Sequence, residues 1–577
     1  MQVDLRFNGA IRSDLVELFD KVSFSNRESF NYLIDQLSRP LIDSIDWWAQ
    51  NPASRNTYTS PLYHYFCSYK FFQEILSKEI EVTEIILDSR ELKNIFKKVL
   101  QQRKINSINI LYKPGKALRL KRLMKKFFYF QYFIIRRFIE GFIIKISDTF
   151  QQTEIQSKPI TIVDTFLTIE YASNDRWYGS FWSNIDESTR DEVFFVPTVI
   201  DTPLRDIPRL CNNAKNDGRN IIFKDQYLEF NDFIFAYRHK ERVKKLKINQ
   251  ILVDNFDLSE LVREDIINNR DIRTLIESLL TYRFILKLKQ SQVDIRHAID
   301  WFEGHSIDKL WNLAIKNFYP KVKRIGYESF RSFPYYLSTF PIKIEKDAGT
   351  IPDVFAAQGS ACVSCIREFL PDQEVIVIPA FKYEHVWQYK PDFLKNNKQV
   401  LVAFPISLDA TMRILKTLIS AYEHDTRLSD SGVEFILKTH PKNSINQVLD
   451  RISMNVPNCF RFTEEQSFPN ILKDSIILVT EASSTCLEAM AYGISVIVIE
   501  NTSGLTYDPI PRNINKKLYR KTRTEKSLID SLLHFLSLEE DDIKHQRKLG
   551  LDLRKDYFEP VTKEGISRFL DIDDNRK

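Results

Sequence analysis

The sequence predicts an α/β protein in which two doubly wound, mostly parallel sheets follow a smaller N-terminal α/β region. Three observations predict it. From about residue 159 onward, short runs rich in Val, Ile and Phe alternate with helical stretches, the pattern of strands linked by crossover helices. Residues 433–501 contain two strands that each empty into a polar turn, and the second continues as helix, glycine and a third strand, a complete βαβ unit. The chain has 577 residues, too many for a single hydrophobic core.

The elements follow in order. Residues 82–87 and 108–112 read as strands with a helix over 90–103 between them. The polar stretch NPASRNTYTSP at 51–61 reads as a loop, with Arg55 expected in solvent. Strands are expected at 160–169, 192–200 and 220–228, and helical stretches at 230–247 and 258–292. Residues 297–330 read as strand, loop, helix, strand, and 352–381 as strand, glycine turn, helix, strand. The stretch YEHVWQYKP at 383–391 is the expected hinge into a last domain whose first strand is 399–405. There, 433–437 and 476–479 are strands, 486–492 is a helix stopped by Gly493, 495–499 is a strand and 525–536 a helix. The expected organisation is therefore 1–112, an N-terminal α/β region; 113–150, a basic and aromatic segment; 151–385 and 386–520, the two doubly wound domains; and 521–577, a helical tail.

Composition narrows the function classes. The net charge of +5 is small for this length, so a nucleic-acid partner is not expected. Six scattered cysteines fit a reducing compartment better than a disulfide framework, and Cys362 with Cys365, lacking a second pair, reads as core packing. The opening MQVDLRFNGAIRSD has no basic run followed by an apolar one, so no secretory signal is expected. No run of eighteen apolar residues occurs. Residues 113–145 stand apart, with ten Lys or Arg and one acid giving +9, against −4 for the rest of the chain. Basic residues beside a Phe/Tyr/Ile block, with apolar positions all round the helix, point to a segment lying on an anionic membrane surface. The expected location is cytoplasmic, peripheral to the inner face of the cytoplasmic membrane.

The chemistry is expected at strand ends in the last domain. One strand delivers Lys438, Thr439, His440 and Pro441; the other delivers Glu481, Ser483, Ser484 and Thr485. Ser483 or Ser484 is expected to cap the following helix, whose unpaired N–H groups and dipole favour an anion such as phosphate. A strand ending in Lys-x-His-Pro, then a strand, Ser-Ser-Thr and Glu-Ala before a glycine, resembles the nucleotide-binding domain of GT-B glycosyltransferases, with two Rossmann-type domains facing a cleft. It is most similar to bacterial sialyltransferases and Kdo transferases; the teichoic-acid glycerophosphotransferases carry a similar His-Pro pair. The resemblance implies a CMP-activated acidic sugar as donor, held by Lys438, His440, Pro441, Ser483, Ser484, Thr485 and Glu488. It also implies a terminal helix crossing back onto the first domain, expected at 525–536.

Segments 163–182, 301–314 and 325–330 resemble surface-carbohydrate transferases found with bacterial capsule and O-antigen genes, which implies a lipid-linked or polysaccharide acceptor. The resemblance covers about 160–500. Trp301-Phe302-Glu303 is distantly similar to the Glu-bearing loop of Kdo transferases and departs from it at Gly304-His305. An inverting transfer needs a base for the acceptor hydroxyl and a stabiliser for the departing phosphate. His440 is the expected stabiliser, Asp175 the first candidate base and Glu303 the second, with Arg176 placed to hold an acceptor phosphate or carboxylate. No metal and no cofactor are expected. Two other readings remain open: a CDP-glycerol-type phosphotransferase using His440 and His305, and a non-catalytic polysaccharide assembly protein.

Overall fold

A computed structural model describes the chain except residues 8, 115–118, 148–157, 174, 329–332, 390–397, 453–454, 466, 502–504, 506 and 572–577, and except the side chains of 119–127. The N-terminal region holds a parallel sheet of β1 (Gln2–Asp4), β2 (Glu84–Leu87) and β3 (Asn109–Tyr112), with the helix Arg90–Gln102 between the last two. The middle domain contributes β4 (Ile160–Leu167) and β5 (Val193–Val199). A two-residue hairpin outside its sheet follows, β6 (Leu252–Val253) and β7 (Phe256–Asp257), and then β8 (Ile295–Phe302), β9 (Lys323–Glu328), β10 (Val354–Ala357) and β11 (Glu374–Val377). The last domain contains β12 (Gln399–Ala403), β13 (Glu434–Lys438), β14 (Phe460–Phe462), β15 (Ile477–Thr480), β16 (Ser495–Ile499) and β17 (Tyr519–Thr522).

Both large sheets are parallel and doubly wound. The middle sheet has the order β11-β10-β9-β8-β4-β5, and the last has β14-β13-β12-β15-β16-β17. In each, the first strand is interior and the chain builds outward on one side before returning to the other. The direction of winding therefore reverses between β4 and β8, and again between β12 and β15, leaving a crevice above the carboxyl ends at each point. The strands read as largely apolar runs because both faces are covered: every residue of β5, β10 and β15 is buried. Pro197 is tolerated in β5 because that strand lies near the sheet edge. The strand expected at 220–228 reduces to one parallel bridge, Phe195 to Ile221, before the backbone turns into a short 3₁₀ helix at Lys224–Gln226.

The terminal part of the chain also differs from expectation. The helix Glu525–Leu536 does not cross back; Leu528, Ile529, Leu532 and Phe535 pack on the last domain's own sheet. The return is made by Glu540–Tyr557 and Lys563–Phe569, with Ile566 and Phe569 buried in the middle domain's core and Ala380 N donating to Glu559 O.

The helix Arg119–Ile146 has two faces rather than one continuous apolar surface. Phe130, Ile134, Arg137, Gly141 and Ile144, spaced four, three, four and three, are buried against the middle domain. Arg137 is ion-paired with Asp225 (2.6 Å) and Glu277 (2.5 Å), which removes it from the basic surface that the sequence suggests. Gly141 is required there, since a Cβ would stand 2.3 Å from the Asp225 carboxylate. On the opposite side, Phe128, Tyr132, Ile135, Ile139, Phe142 and Ile146 follow the same spacing and are exposed.

The 51–61 stretch is folded into the interior instead of forming a solvated loop. Arg55 is buried, and its guanidinium pairs with Glu345 (2.8 Å) and donates to Asn31 Oδ1 (3.0 Å) and the Phe340 carbonyl (2.7 Å). Lys309 Nζ pairs with the same carboxylate. Burial pushes the Glu345 carboxyl up, but Arg55 and Lys309 outweigh it and hold it below its ordinary value. Removing one partner from such a group leaves an uncompensated buried charge. Arg55→Ala is therefore expected to cost on the order of 3 kcal/mol or more in denaturant unfolding. The Glu345 contribution should be intact above about pH 4.5 and fade as pH falls through its depressed folded value. A loss under about 1 kcal/mol for Arg55→Ala would contradict this account of the triad.

Candidate active site

The two switch points face one another, and the residues at their strand ends form a cleft. On the last-domain side, β13 ends at Lys438, whose ammonium is buried and pushed down by desolvation. Three residues later stands Pro441, which has no N–H to donate and cannot extend the ladder. His440 Nδ1 accepts from Lys442 N (3.1 Å), which fixes the imidazole proton on Nε2. Burial, and then the nearby charges of Arg176, Lys442 and Lys438, push this imidazole down to about 4. His440 is thus a neutral N–H donor at pH 7 within a cationic cluster.

That cluster spans both domains. Arg176 belongs to the loop after β4, and its guanidinium lies over the Tyr171 ring. Lys442 pairs across the cleft with Asp201 (2.9 Å), two residues beyond β5. Asp175 beside Arg176 is occupied differently. Its carboxylate pairs with Arg219 (2.9 Å) and accepts from Trp177 N (2.8 Å) and Tyr178 N (3.2 Å), and burial followed by the Arg219 charge sets its raised value. It holds the turn that presents Arg176.

At the β15 end, the helix begins at Thr485 and spans Thr485–Ala491. Of the two serines expected to cap it, Ser484 occupies the cap position without making a side-chain cap hydrogen bond. Ser483 Oγ instead contacts Thr485 Oγ1 (2.8 Å) and accepts from Thr485 N at 3.4 Å, leaving three half-buried hydroxyls at the turn. Glu488, one turn into this helix, lies 3.1 Å from His385 Nε2, tying it to the interdomain connection. Glu481 is held by Arg413 (3.2 Å) and shares a small pocket with Ala482, Glu500, Tyr507 and Asp508.

The middle-domain side centres on Glu303, immediately after β8 and therefore beside the switch point. Its carboxylate accepts from Trp301 Nε1 (2.9 Å) and lies 3.0 Å from His305 Nε2. Asp308 receives the Glu303 and His305 amides (2.9 and 3.0 Å), fixing the turn. Gly304 is needed here, with φ +71° and the Ser338 carbonyl where a Cβ would stand. Burial alone opposes charging of His305, but the Glu303 hydrogen bond and charge hold it up to about 9. The same pairing outweighs burial at Glu303 and keeps its carboxyl below the ordinary value.

The N-terminal region supplies a third wall. Asn56 Nδ2 lies 3.1 Å from His305 Nδ1, Tyr336 OH lies 2.7 Å from His305 Nε2, and Tyr58 stacks on Tyr507 at 4.5 Å between ring centroids. Tyr507 OH donates to the Thr57 carbonyl (3.2 Å), and the Glu481 charge acts on Tyr58. Sequence reasoning missed Asn56, Tyr58, Tyr336, Lys442 and Tyr507. Only the run of turn-forming residues at 51–61 marked any of them. Among the described residues, no group of three or more His, Cys, Asp or Glu side chains is placed to hold a metal ion.

No family model matches the chain, and no curated protein matches it. Solved structures similar in shape include the Staphylococcus aureus MnaA–UDP complex (12% identity, covering 72% of this chain and 95% of that one, TM-score 0.41). The glycosyltransferase SnogD from Streptomyces nogalater is 10% identical (72% and 100% covered, TM-score 0.40). The α,α-trehalose 6-phosphate synthase from Burkholderia multivorans is also 10% identical (72% and 96% covered, TM-score 0.41). At this level of similarity the chemistry rests on the residues of this chain.

Proposed function

We propose that this protein is a glycosyltransferase moving a sugar from a nucleotide donor to an acceptor hydroxyl in the cleft between its two doubly wound domains. The observation that carries the reading is the opposition of two unlike sets of groups at the facing strand ends. Lys438, His440, Lys442 and Arg176 form a cationic edge, and the Glu303–His305 pair lies beside the other switch point. In the transfer, the acceptor oxygen attacks the anomeric carbon, its proton passes to the base, and the bond from that carbon to the phosphate oxygen breaks with its electrons on the phosphate. Charge therefore grows on the phosphate, where an ammonium, a guanidinium and a neutral imidazole N–H stabilise it. The Ser483, Ser484 and Thr485 hydroxyls would hold phosphate oxygens, and Glu488 the ribose or base. Pro441 positions the cationic loop.

Glu303 is the better base of the two acids, because Asp175 is buried against Arg219 and two amides whereas Glu303, although paired with His305 and Trp301, is partly exposed at the crevice as an ionised carboxylate. The donor we propose is a CMP-activated acidic sugar, since the same cationic edge suits both its phosphate and its carboxylate. Attack opposite the leaving phosphate gives inversion, and the cationic groups take the place a metal ion would fill. His440→Ala is expected to stay folded and lose on the order of 10²-fold in turnover, the scale for removing one transition-state donor. Calorimetry with CMP, CDP and UDP checks the donor. Tighter binding of UDP than CMP would remove the CMP assignment, and no nucleotide binding would remove the transfer reading.

We propose further that the enzyme works at an anionic membrane surface, reaching a lipid-linked acceptor of a surface polysaccharide. No helix among the described residues is long and apolar enough to cross a membrane. The exposed stripe from Phe128 to Ile146 is extended by Phe230, Ile234 and Tyr237 of the neighbouring helix Phe230–Tyr237, with Phe138 against Phe230 at 5.8 Å. Such a face, continuous along the chain with the basic run 113–126, fits insertion to the depth of the headgroups. Ile135→Glu with Phe142→Glu should release the folded protein from anionic vesicles, and 1 M salt, which shortens the screening length to about 3 Å, should weaken wild-type binding. A wild-type protein that ignores vesicles, or a dimer dissolved by the same two changes, would overturn the membrane assignment.

A further inference from the structure

Between the N-terminal helices and residues 508–513 lies a cavity of about 930 Å³, within the range of small-molecule sites. It is separate from the cationic edge but not remote from it. Glu500 and Asp508 line both this cavity and the small pocket that holds Glu481 and Tyr507. Tyr335 lines it as well, and the next residue, Tyr336, places its hydroxyl on His305. The cavity therefore adjoins, through shared and neighbouring residues, the wall that carries His305.

Its chemistry differs from that of the nucleotide side. Five carboxylates and three cations line it, so the wall disfavours phosphate. Four of the five carboxylates are already held: Asp20 and Glu500 by Arg523 (3.4 and 2.7 Å), Asp508 by Lys521 and Glu368 by Arg27. Paired carboxylates cost little to approach with an uncharged ligand and still offer lone pairs to hydroxyl groups. Half-buried Phe24, with Arg27 and Arg512 against its ring, and the largely buried Tyr335, Phe340 and Tyr557 form the aromatic part of the wall. Aromatic faces beside hydroxyl acceptors suit a ring that has a C–H face and a hydroxyl rim.

We infer that this cavity binds an uncharged saccharide chain, which on the sugar-transfer reading is the acceptor. The inference rests on the sugar-transfer reading for the word acceptor, while the binding itself does not require it. Saturation-transfer NMR on the full chain without nucleotide, using maltotetraose, chitotetraose and tetragalacturonate, tests it. At least one of the two uncharged tetrasaccharides should bind and the anionic one should not. Ser364→Trp, at an exposed position on the cavity wall, should weaken that binding at least tenfold, and Phe24→Ala, which removes one ring of the wall, should weaken it too. Neither change should alter nucleotide affinity. Failure of both uncharged probes, preference for tetragalacturonate, or unchanged affinity in both folded variants would overturn the inference. Saccharide binding by a protein that binds no nucleotide would support the cavity and overturn the transfer reading.

Discussion

The Glu345 carboxylate, buried between Arg55 and Lys309, is the interaction on which the arrangement of the cleft depends. Lys309 lies on the helix that follows β8, Glu345 on a short helix after β9, and Arg55 in the N-terminal region, so one carboxylate ties three separate pieces together. A charge there cannot be hydrated, so the ionised form persists only while both cations are in place. The next residues after Arg55 are then fixed in space, which is why Asn56 meets His305 and Tyr58 meets Tyr507. The N-terminal region also shares a continuous core with the middle domain, Trp47 and Trp48 falling in one cluster with Leu310 and Trp311.

Around that constraint the electrostatics divide the cleft. The last domain places cations at the ends of β13 and in the loop behind it, and the middle domain answers with Arg176. The neighbouring switch point carries a carboxylate whose charge is stabilised by a histidine. The separation follows from the chain's winding, since each sheet has only one place where its strand order reverses and the adjacent loops part. The acidic, aromatic cavity beyond Tyr507 continues the division, with cations for a phosphate on one side and paired carboxylates for hydroxyl groups on the other.

Much of the fold was legible because parallel strands buried on both faces must be apolar throughout, so their ends are marked where polar residues begin. The places of Lys438, His440 and the Ser483–Thr485 turn after strands were read this way, whereas Glu303 was singled out by resemblance. What could not be read depended on partners far along the chain. Arg55 looks like a solvated loop residue until Glu345, 290 residues away, is brought beside it. Asp175 looks like a free acid until Arg219 arrives. The helix after residue 119 looks apolar all round because two stripes of identical spacing overlap in sequence, and only the Asp225 and Glu277 partners of Arg137 show which one is buried. The 220–228 stretch has strand composition, yet it makes one bridge before a capped turn diverts it.

The central claim is that one cleft, assembled from all three parts of the chain, holds the nucleotide on its cationic side. Amide hydrogen exchange of the full-length protein with and without saturating CMP tests it most directly. The account predicts slower exchange at 438–443 and 483–488, together with smaller protection at 56–58 and 303–305 across the cleft. Protection confined to some other surface, or absent from both strand ends when CMP is bound, would contradict it.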